Sequence, residues 1–255
     1  MIIPLSFFDV AIIGFLAQII DGALGMGYGV VSSSLLISLG ILPVIASASV
    51  HTAELFTTFF SGISHFKFGN VKKEIIQPLI CFGVLGGIIG AIGLIKLPLK
   101  PTKLVVGLIL LSMGMLILYH FLFKFNKFCS EGLKKYSINK LRALGFFAAF
   151  IDAVGGGGWG PICTPTLVMT GTEPNKAVGS VDLAEFFVTL AITCSFILLM
   201  GIGKFNWQLI FALLIGGVIG APIAAFICKR LPKRLLGILV GILVIILSYR
   251  MTIFR

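Results

Sequence analysis

The sequence contains the same segment twice. Residues 14–58 align without a gap on residues 145–189, a shift of 131 positions, and about 18 of the 45 aligned positions are identical. A chain that carries two copies of one unit is expected to form two similar halves. We therefore predict a first membrane repeat at 1–123, a linker at 124–141 and a second membrane repeat at 142–255.

The composition places both repeats in a membrane. The 255 residues are 58% hydrophobic and only 11% charged, whereas a typical soluble domain has roughly 25% charged residues. This excludes a soluble globular protein, a disordered chain and, despite the net charge of +11, a nucleic-acid binder. We predict an integral membrane protein whose first apolar run is retained rather than cleaved as a signal peptide. The five cysteines lack metal-binding spacing, and we expect no cofactor and no resident metal.

Each half divides into five apolar segments. They lie at 5–20, 28–40, 44–66, 74–96 and 103–123, and at 142–152, 159–171, 176–200, 207–228 and 233–250. The first two segments of each half are short, and a helix of ~12 residues spans only ~18 Å of a ~30 Å hydrocarbon core. The predicted fold is an all-α polytopic membrane protein, in which each repeat has a broken or re-entrant glycine-rich helix pair and three transmembrane helices.

The loop charges predict the topology. Three full crossings per half place the second repeat upside down relative to the first, so the repeats are inverted. About 14 Lys and Arg then lie on one side and about six on the other, which makes the first side, with the linker, cytoplasmic. The protein is predicted to lie in the cell (inner) membrane, with both termini on the extracytoplasmic side. If the short pairs crossed fully, the loop balance would be the same, so the depth of the hairpins stays open.

Two glycine-rich stretches are the candidate substrate site. Gly155 to Gly158 are consecutive, and the first repeat has glycines at alternate positions in the corresponding stretch. A helix that begins there would present its positive N-terminus to an anion; the alternative is that the glycines only allow close helix packing. We predict that the peptides at 25–29 and 156–160 are non-helical, buried and close together. The candidate substrate contacts are Gly25, Gly27, Tyr28, Gly29, Ser32, Ser33, Gly156, Gly157, Gly158, Trp159, Cys163 and Thr164.

Ionisable residues inside apolar segments form a second candidate group. An acidic residue at membrane depth is costly and is a functional candidate for that reason. His51 and Asp182 occupy equivalent repeat positions, so we expect a two-fold axis to bring them together as a proton-responsive pair. A glutamate is expected to brace a glycine-rich tip. The candidates for proton coupling or helix bracing are Asp21, His51, Glu54, Asp152, Asp182 and Glu185.

At these residues the sequence resembles the TauE/SafE sulfite-exporter family, within the toluene-sulfonate uptake permease superfamily. The resemblance is carried by the glycines at 155–158 with Pro161, Pro165 and Leu167, and continues through Gly171, Pro174, Ala177, Gly179 and Ser180. The first repeat is looser, with Ser34 where the second has Pro165. The resemblance implies a bacterial inner-membrane permease for sulfite, sulfonates or other small organic anions.

The predicted function is a secondary transporter of a small anion, not an enzyme, with protons as the candidate coupling ion. The chain has no ATP-binding motif, so a gradient or a partner protein has to drive transport. A cation or metal transporter that uses the intramembrane acidic residues is the first alternative. An intramembrane enzyme is the second, with Ser32 to Ser34 as nucleophile and His51 as base, although no G-x-S-x-G string is present.

Overall fold

A computed structural model describes residues 6–24, 26–124, 137–170, 172–227 and 233–253. Within these ranges the chain is helical with short connections and contains no strand. The first half contains α1 to α5, in order Phe7–Leu24, Tyr28–Ser38, Pro43–Lys67, Lys73–Lys96 and Leu99–Tyr119, followed by a π-helical turn at His120–Lys124. The second contains α6 to α10, in order Ile138–Gly155, Trp159–Met169, Pro174–Met200, Trp207–Ile227 and Lys233–Ile253. Each predicted apolar segment therefore contains a helix.

The first helix of each half extends beyond its predicted bounds. α1 continues to Leu24 and α6 to Gly155, so both pass the aspartate at which the predicted segments end or nearly end. α6 also begins at Ile138, inside the predicted linker. Polar residues are compatible with helix, so a segment defined only by apolar residues is too short. Residues 125–136 of that linker lie outside the described residues.

The outer surface is apolar, as a lipid-facing surface requires. Phe8, Phe123 and Leu198 are among many large apolar side chains that are mostly exposed, while serines, threonines and carboxylates are buried inside. In the part of the chain that the structure describes, three helical stretches are long and apolar enough to cross a bilayer: Lys73–Lys96, Pro101–Phe123 and Lys176–Met200.

The helices pack in matched pairs across the two halves. α1 packs against α9 as α6 packs against α4, and α5 lies against its repeat equivalent α10. Glycines allow the backbones to come close: a Cβ at Gly14 would lie 2.5 Å from the carbonyl oxygen of Leu213, and one at Gly145 would lie 2.7 Å from that of Leu79. Each half therefore completes the packing of the other.

Helices α3 and α8 cross at the centre and run antiparallel. His65 at the end of α3 lies beside Asp182 near the start of α8, whereas the ring of His51 lies 6.4 Å from that of Phe196, near the end of α8. The rings of Phe59 and Phe186 are 5.3 Å apart between these points. His51 and Asp182, which are repeat equivalents near the starts of these two helices, therefore lie on opposite sides of the crossing.

The breaks in the broken helices are shorter than predicted. Among the described residues, the non-helical peptides are 26–27 and 156–158. Tyr28 and Trp159 already begin α2 and α7, so the prediction of non-helical backbone up to 29 and 160 is wrong at its C-terminal end. Gly27 has a φ of 125° and Gly156 a φ of 73°, and this left-handed backbone favours glycine.

Candidate functional site

An aspartate braces the second helix of each broken pair. The Oδ1 atom of Asp152 accepts a hydrogen bond of 3.1 Å from the backbone N–H of Trp159. In the first half, the Oδ1 atom of Asp21 accepts one of 3.3 Å from the N–H of Tyr28. Both bonds reach seven residues along the chain and satisfy the first N–H group of a helix, where a carboxylate is favourable. The aspartates therefore fix where α2 and α7 begin, which explains why the breaks are short.

The two glycine-rich tips are buried and in direct contact. A Cβ on Gly29 would lie 2.8 Å from the Cα atom of Gly157 and 2.9 Å from the carbonyl oxygen of Gly156. The hydroxyl of Ser33 donates to that same oxygen at 2.5 Å. Burial and proximity agree with the sequence prediction, and the two backbones leave no space between Gly29 and Gly157. In this conformation Gly29 and Gly157 allow close packing of the helices, as the alternative interpretation of the glycines predicts.

The two aromatic residues that begin α2 and α7 anchor the tips to other helices. The hydroxyl of Tyr28 donates to the carbonyl oxygen of Leu213 in α9 at 3.2 Å. The indole N–H of Trp159 donates to the carbonyl oxygen of Val181 in α8, also at 3.2 Å. Both side chains are buried. Since their polar atoms already have partners, the structure places them as anchors of the tips.

The expected pairing of His51 with Asp182 is wrong. The Nε2 atom of His51 lies 3.1 Å from the Oδ2 atom of Asp152, the aspartate that braces the second tip. Asp182 instead accepts a hydrogen bond of 2.6 Å from Ser61 and lies 3.6 Å from the Nε2 atom of His65. The antiparallel crossing of α3 and α8 explains the difference, because it separates equivalent positions.

The hydrogen bonds around His51 indicate that it shares a proton with Asp152. Its Nδ1 atom lies 2.8 Å from the carbonyl oxygen of Ser47, which can only accept, so Nδ1 carries a hydrogen. Its Nε2 atom faces a carboxylate oxygen, so a further proton lies between the two groups. The result is an imidazolium with a carboxylate or a neutral imidazole with a carboxylic acid, and in either case the pair has no net charge.

The same bonds contradict a catalytic triad at His51. Ser47, His51 and Asp152 lie in the order of a catalytic triad, but the hydroxyl of Ser47 donates to the carbonyl oxygen of Ala153 at 2.7 Å and Nδ1 cannot accept its proton. The serines proposed as nucleophiles, 32–34, form no hydrogen bond with His51 in the described part of the chain.

Several buried hydroxyl groups have no hydrogen-bond partner among the described residues. The hydroxyl oxygens of Ser32, on the second turn of α2, and Thr164, on the second turn of α7, are buried and form no hydrogen bond with the described residues. The buried thiol of Cys163 occupies the repeat position of Ser32. The other hydroxyls without a partner belong to Ser34, Thr189 and Thr193. Of the predicted contacts, Gly25 lies outside the described residues.

The remaining acidic residues converge on this centre from both halves. The carboxylates of Glu54 and Glu185 interact electrostatically with each other and with Asp21, Asp152 and Asp182. Neither glutamate carboxylate accepts a backbone N–H from the described residues, so the bracing expected of a glutamate is performed by the aspartates. In the described ranges, no three His, Cys, Asp or Glu side chains are grouped closely enough to hold a metal ion.

A helical membrane protein with two broken helices in contact at its centre has the architecture of a membrane transporter. The model of the family Sulfite exporter TauE/SafE matches residues 10–251, and the chain belongs to this family. It is 44% identical over 211 residues to the "Probable membrane transporter protein YtnM" of Bacillus subtilis (strain 168), covering 82% of this chain and 70% of that protein. No solved structure matches. The resemblance recognised in the glycine-rich modules is thus confirmed, and both names indicate a transporter rather than an enzyme.

Proposed function

We propose that this protein is a secondary transporter of small anions, with sulfite, sulfonates and related organic anions as the substrate class. The observation that carries the proposal is the pair of buried, unpartnered hydroxyls of Ser32 and Thr164 on the second turns of the two helices that begin at the tips. A buried hydroxyl without a partner costs free energy, and an anion oxygen beside it supplies the missing acceptor.

The contact between the tips sets how such an anion enters. Because the backbones of Gly29 and Gly157 touch, the anion binds beside the tips, next to Ser32, Cys163 and Thr164. Movement of one tip away from the other opens this place towards one side of the membrane. Transport by a gradient requires such alternation, and the matched packing of the two halves is suited to it.

The proposed topology is an inverted repeat in the cell (inner) membrane, with a two-fold axis in the membrane plane and both termini extracytoplasmic. The antiparallel crossing of equivalent helices α3 and α8 supports it, as does the matched packing of α1 on α9 and α6 on α4. The distribution of lysine and arginine over the loops supports the orientation.

A cation or metal transporter is the second candidate, and the five convergent carboxylates favour it. Purified protein in liposomes separates the two candidates. Uptake of sulfite, methanesulfonate and Mn²⁺ is measured in parallel, with empty liposomes as the blank. We expect uptake of at least one sulfur oxyanion and none of Mn²⁺; Mn²⁺ uptake without anion uptake overturns the proposal.

Two variants locate the site in the same assay. Ser32→Ala and Thr164→Val remove hydroxyls that bond to no described protein group, so both should stay folded and lose about tenfold in anion uptake, about 1.4 kcal/mol of binding. The control is Ser38→Ala, also on α2, whose hydroxyl donates to the carbonyl oxygen of Leu35 away from the tip. Equal uptake in all three variants and the parent contradicts the site.

A further inference from the structure

A polar connection leads from one surface of the protein to Asp182, one of the convergent carboxylates. It begins at His65, whose side chain is 27% exposed and whose Nε2 atom lies 3.6 Å from the Oδ2 atom of Asp182, itself 18% exposed. The side-chain amide of Asn70, in the loop after α3, lies 3.5 Å from the Nδ1 atom of His65. The hydroxyl of Ser61 holds the same Asp182 oxygen at 2.6 Å. An imidazole that contacts both solvent and a carboxylate can pass a proton between them.

The charge of Asp182 acts across the interface between the halves. It repels the charge of Asp21 in α1. Asp21 in turn accepts the N–H of Tyr28 and so braces the first tip. The other groups whose charges act on this pair are the carboxylates of Glu54 and Glu185, which also interact with Asp152.

The second half has no such connection at the corresponding positions. A shift of 131 residues places Phe196 at the position of His65 and Ile192 at that of Ser61, and both side chains are fully buried. The aspartate of the second tip is paired with His51, and the side chains of this pair are 2% and 0% exposed. The second half thus has buried apolar side chains at the positions where the first half has polar side chains.

We propose that His65 and Asp182 form a proton route from the side of the 68–72 loop into the group of carboxylates beside the tips, and that a proton taken up along it promotes anion transport. The proposal rests on the proposed function. A proton from water binds the imidazole of His65 and passes from Nε2 to the carboxylate of Asp182, leaving His65 neutral again.

Protonation has two consequences at the site. It removes negative charge that would repel an anion beside the first tip. It also removes the repulsion that Asp182 exerts on Asp21, the aspartate that braces the first tip. The second tip keeps its pair of Asp152 and His51, so the proton acts on the first tip alone.

The test uses the full-length protein in liposomes that contain a pH-sensitive dye, with sulfite and methanesulfonate as probes. Cleavage of the lysine-rich linker at 124–141 by external trypsin reports the orientation, since two crossings place it on the side of the 68–72 loop. Acidification of that side from about pH 7.5 to about pH 5.5 should raise anion uptake by about fivefold or more, the lower end of coupling between two ligands. The dye confirms that the pH inside the vesicle stays constant.

Two variants block the route. His65→Phe copies the residue at the equivalent position of the second half, at a partly exposed place where folding should be unaffected; Asp182→Asn removes the central carboxylate. Both should transport anion with little response to pH. The control Lys176→Ala changes a side chain on the same face that bonds the carbonyl oxygen of Gly69, and it should keep the parent profile.

The outcomes separate this inference from the proposed function. If the parent takes up no anion, the proposed function fails. If the parent takes up anion and folded His65→Phe and Asp182→Asn keep its pH response, the route is wrong. An equal response to acid on both sides also overturns it. If Asp182→Asn does not fold, His65→Phe alone decides.

Discussion

The two tips have the same backbone brace but different charge partners. In the second half, Asp152 holds Trp159 and is paired with His51. In the first half, Asp21 holds Tyr28 and faces the like charge of Asp182, which occupies the repeat position of His51. One pair is neutral with a single shared proton, whereas the other carries repulsion that only an added proton relieves. Both halves therefore keep the hydrogen bond from the helix N–H to the aspartate, but they differ in the charged group that acts on that aspartate.

The largest expected effect is the difference in stability between the variants that remove Asp152 and Asp21. Asp152→Ala should lower the free energy of unfolding by about 3–5 kcal/mol, since it leaves His51 buried without its ionic partner. Asp21→Ala removes a longer hydrogen bond and also a repulsion, so it should cost about 1 kcal/mol. The midpoints of thermal unfolding in detergent measure the difference.

The conservative variant sharpens this comparison. Asp152→Asn retains an oxygen that accepts the N–H of Trp159 and should therefore fall between Asp152→Ala and the parent. Equal destabilisation by Asp152→Ala and Asp21→Ala would show that His51 contributes nothing, and the contrast between the tips would be wrong.

The sequence predicts the helices and the tips but not the partners of the aspartates. Glycine-rich strings four residues after an aspartate in both copies locate the breaks, because clustered glycines disfavour regular helix and the spacing is repeated. The partner of His51 depends on the direction in which α3 crosses α8, and repeat equivalence alone suggested Asp182. The proline and glycine pattern likewise cannot show that the backbones of Gly29 and Gly157 touch, since this depends on the packing of all four tip helices.

An intermediate effect is expected from filling the contact between the tips. A Cβ at Gly157 meets the backbone N of Val30, and one at Gly29 would lie 2.8 Å from the Cα atom of Gly157. Gly157→Ala and Gly29→Ala should each cost about 1–3 kcal/mol, as overpacked sites do, and should reduce transport. Because both changes act on one contact, the double variant should cost less than the sum of the two.

Gly93→Ala is the matched control for these two variants. A Cβ at Gly93, inside α4, would meet nothing within 4 Å, so the change should leave stability unchanged or slightly higher. Thermal unfolding and sulfite uptake are measured on the two single variants, the double variant and Gly93→Ala, with the parent as the reference. Additive losses at Gly29 and Gly157 would mean that the tips do not share a contact.

The smallest expected effect lies at the crossing of α3 and α8, where Thr58 and Thr189 are repeat equivalents. The hydroxyl of Thr58 donates to the carbonyl oxygen of Glu54 at 2.8 Å, whereas that of Thr189 is buried without a partner in the described part of the chain. Thr58→Val should therefore cost about 0.5–1 kcal/mol, and Thr189→Val should be neutral or stabilising, because valine has nearly the same shape and leaves no buried donor unsatisfied. The midpoint of thermal unfolding shows whether each substitution raises or lowers stability. If Thr189→Val instead lowers stability as much as Thr58→Val does, its hydroxyl has an acceptor in the folded protein, and the two halves are more alike at this crossing than their hydrogen bonds indicate.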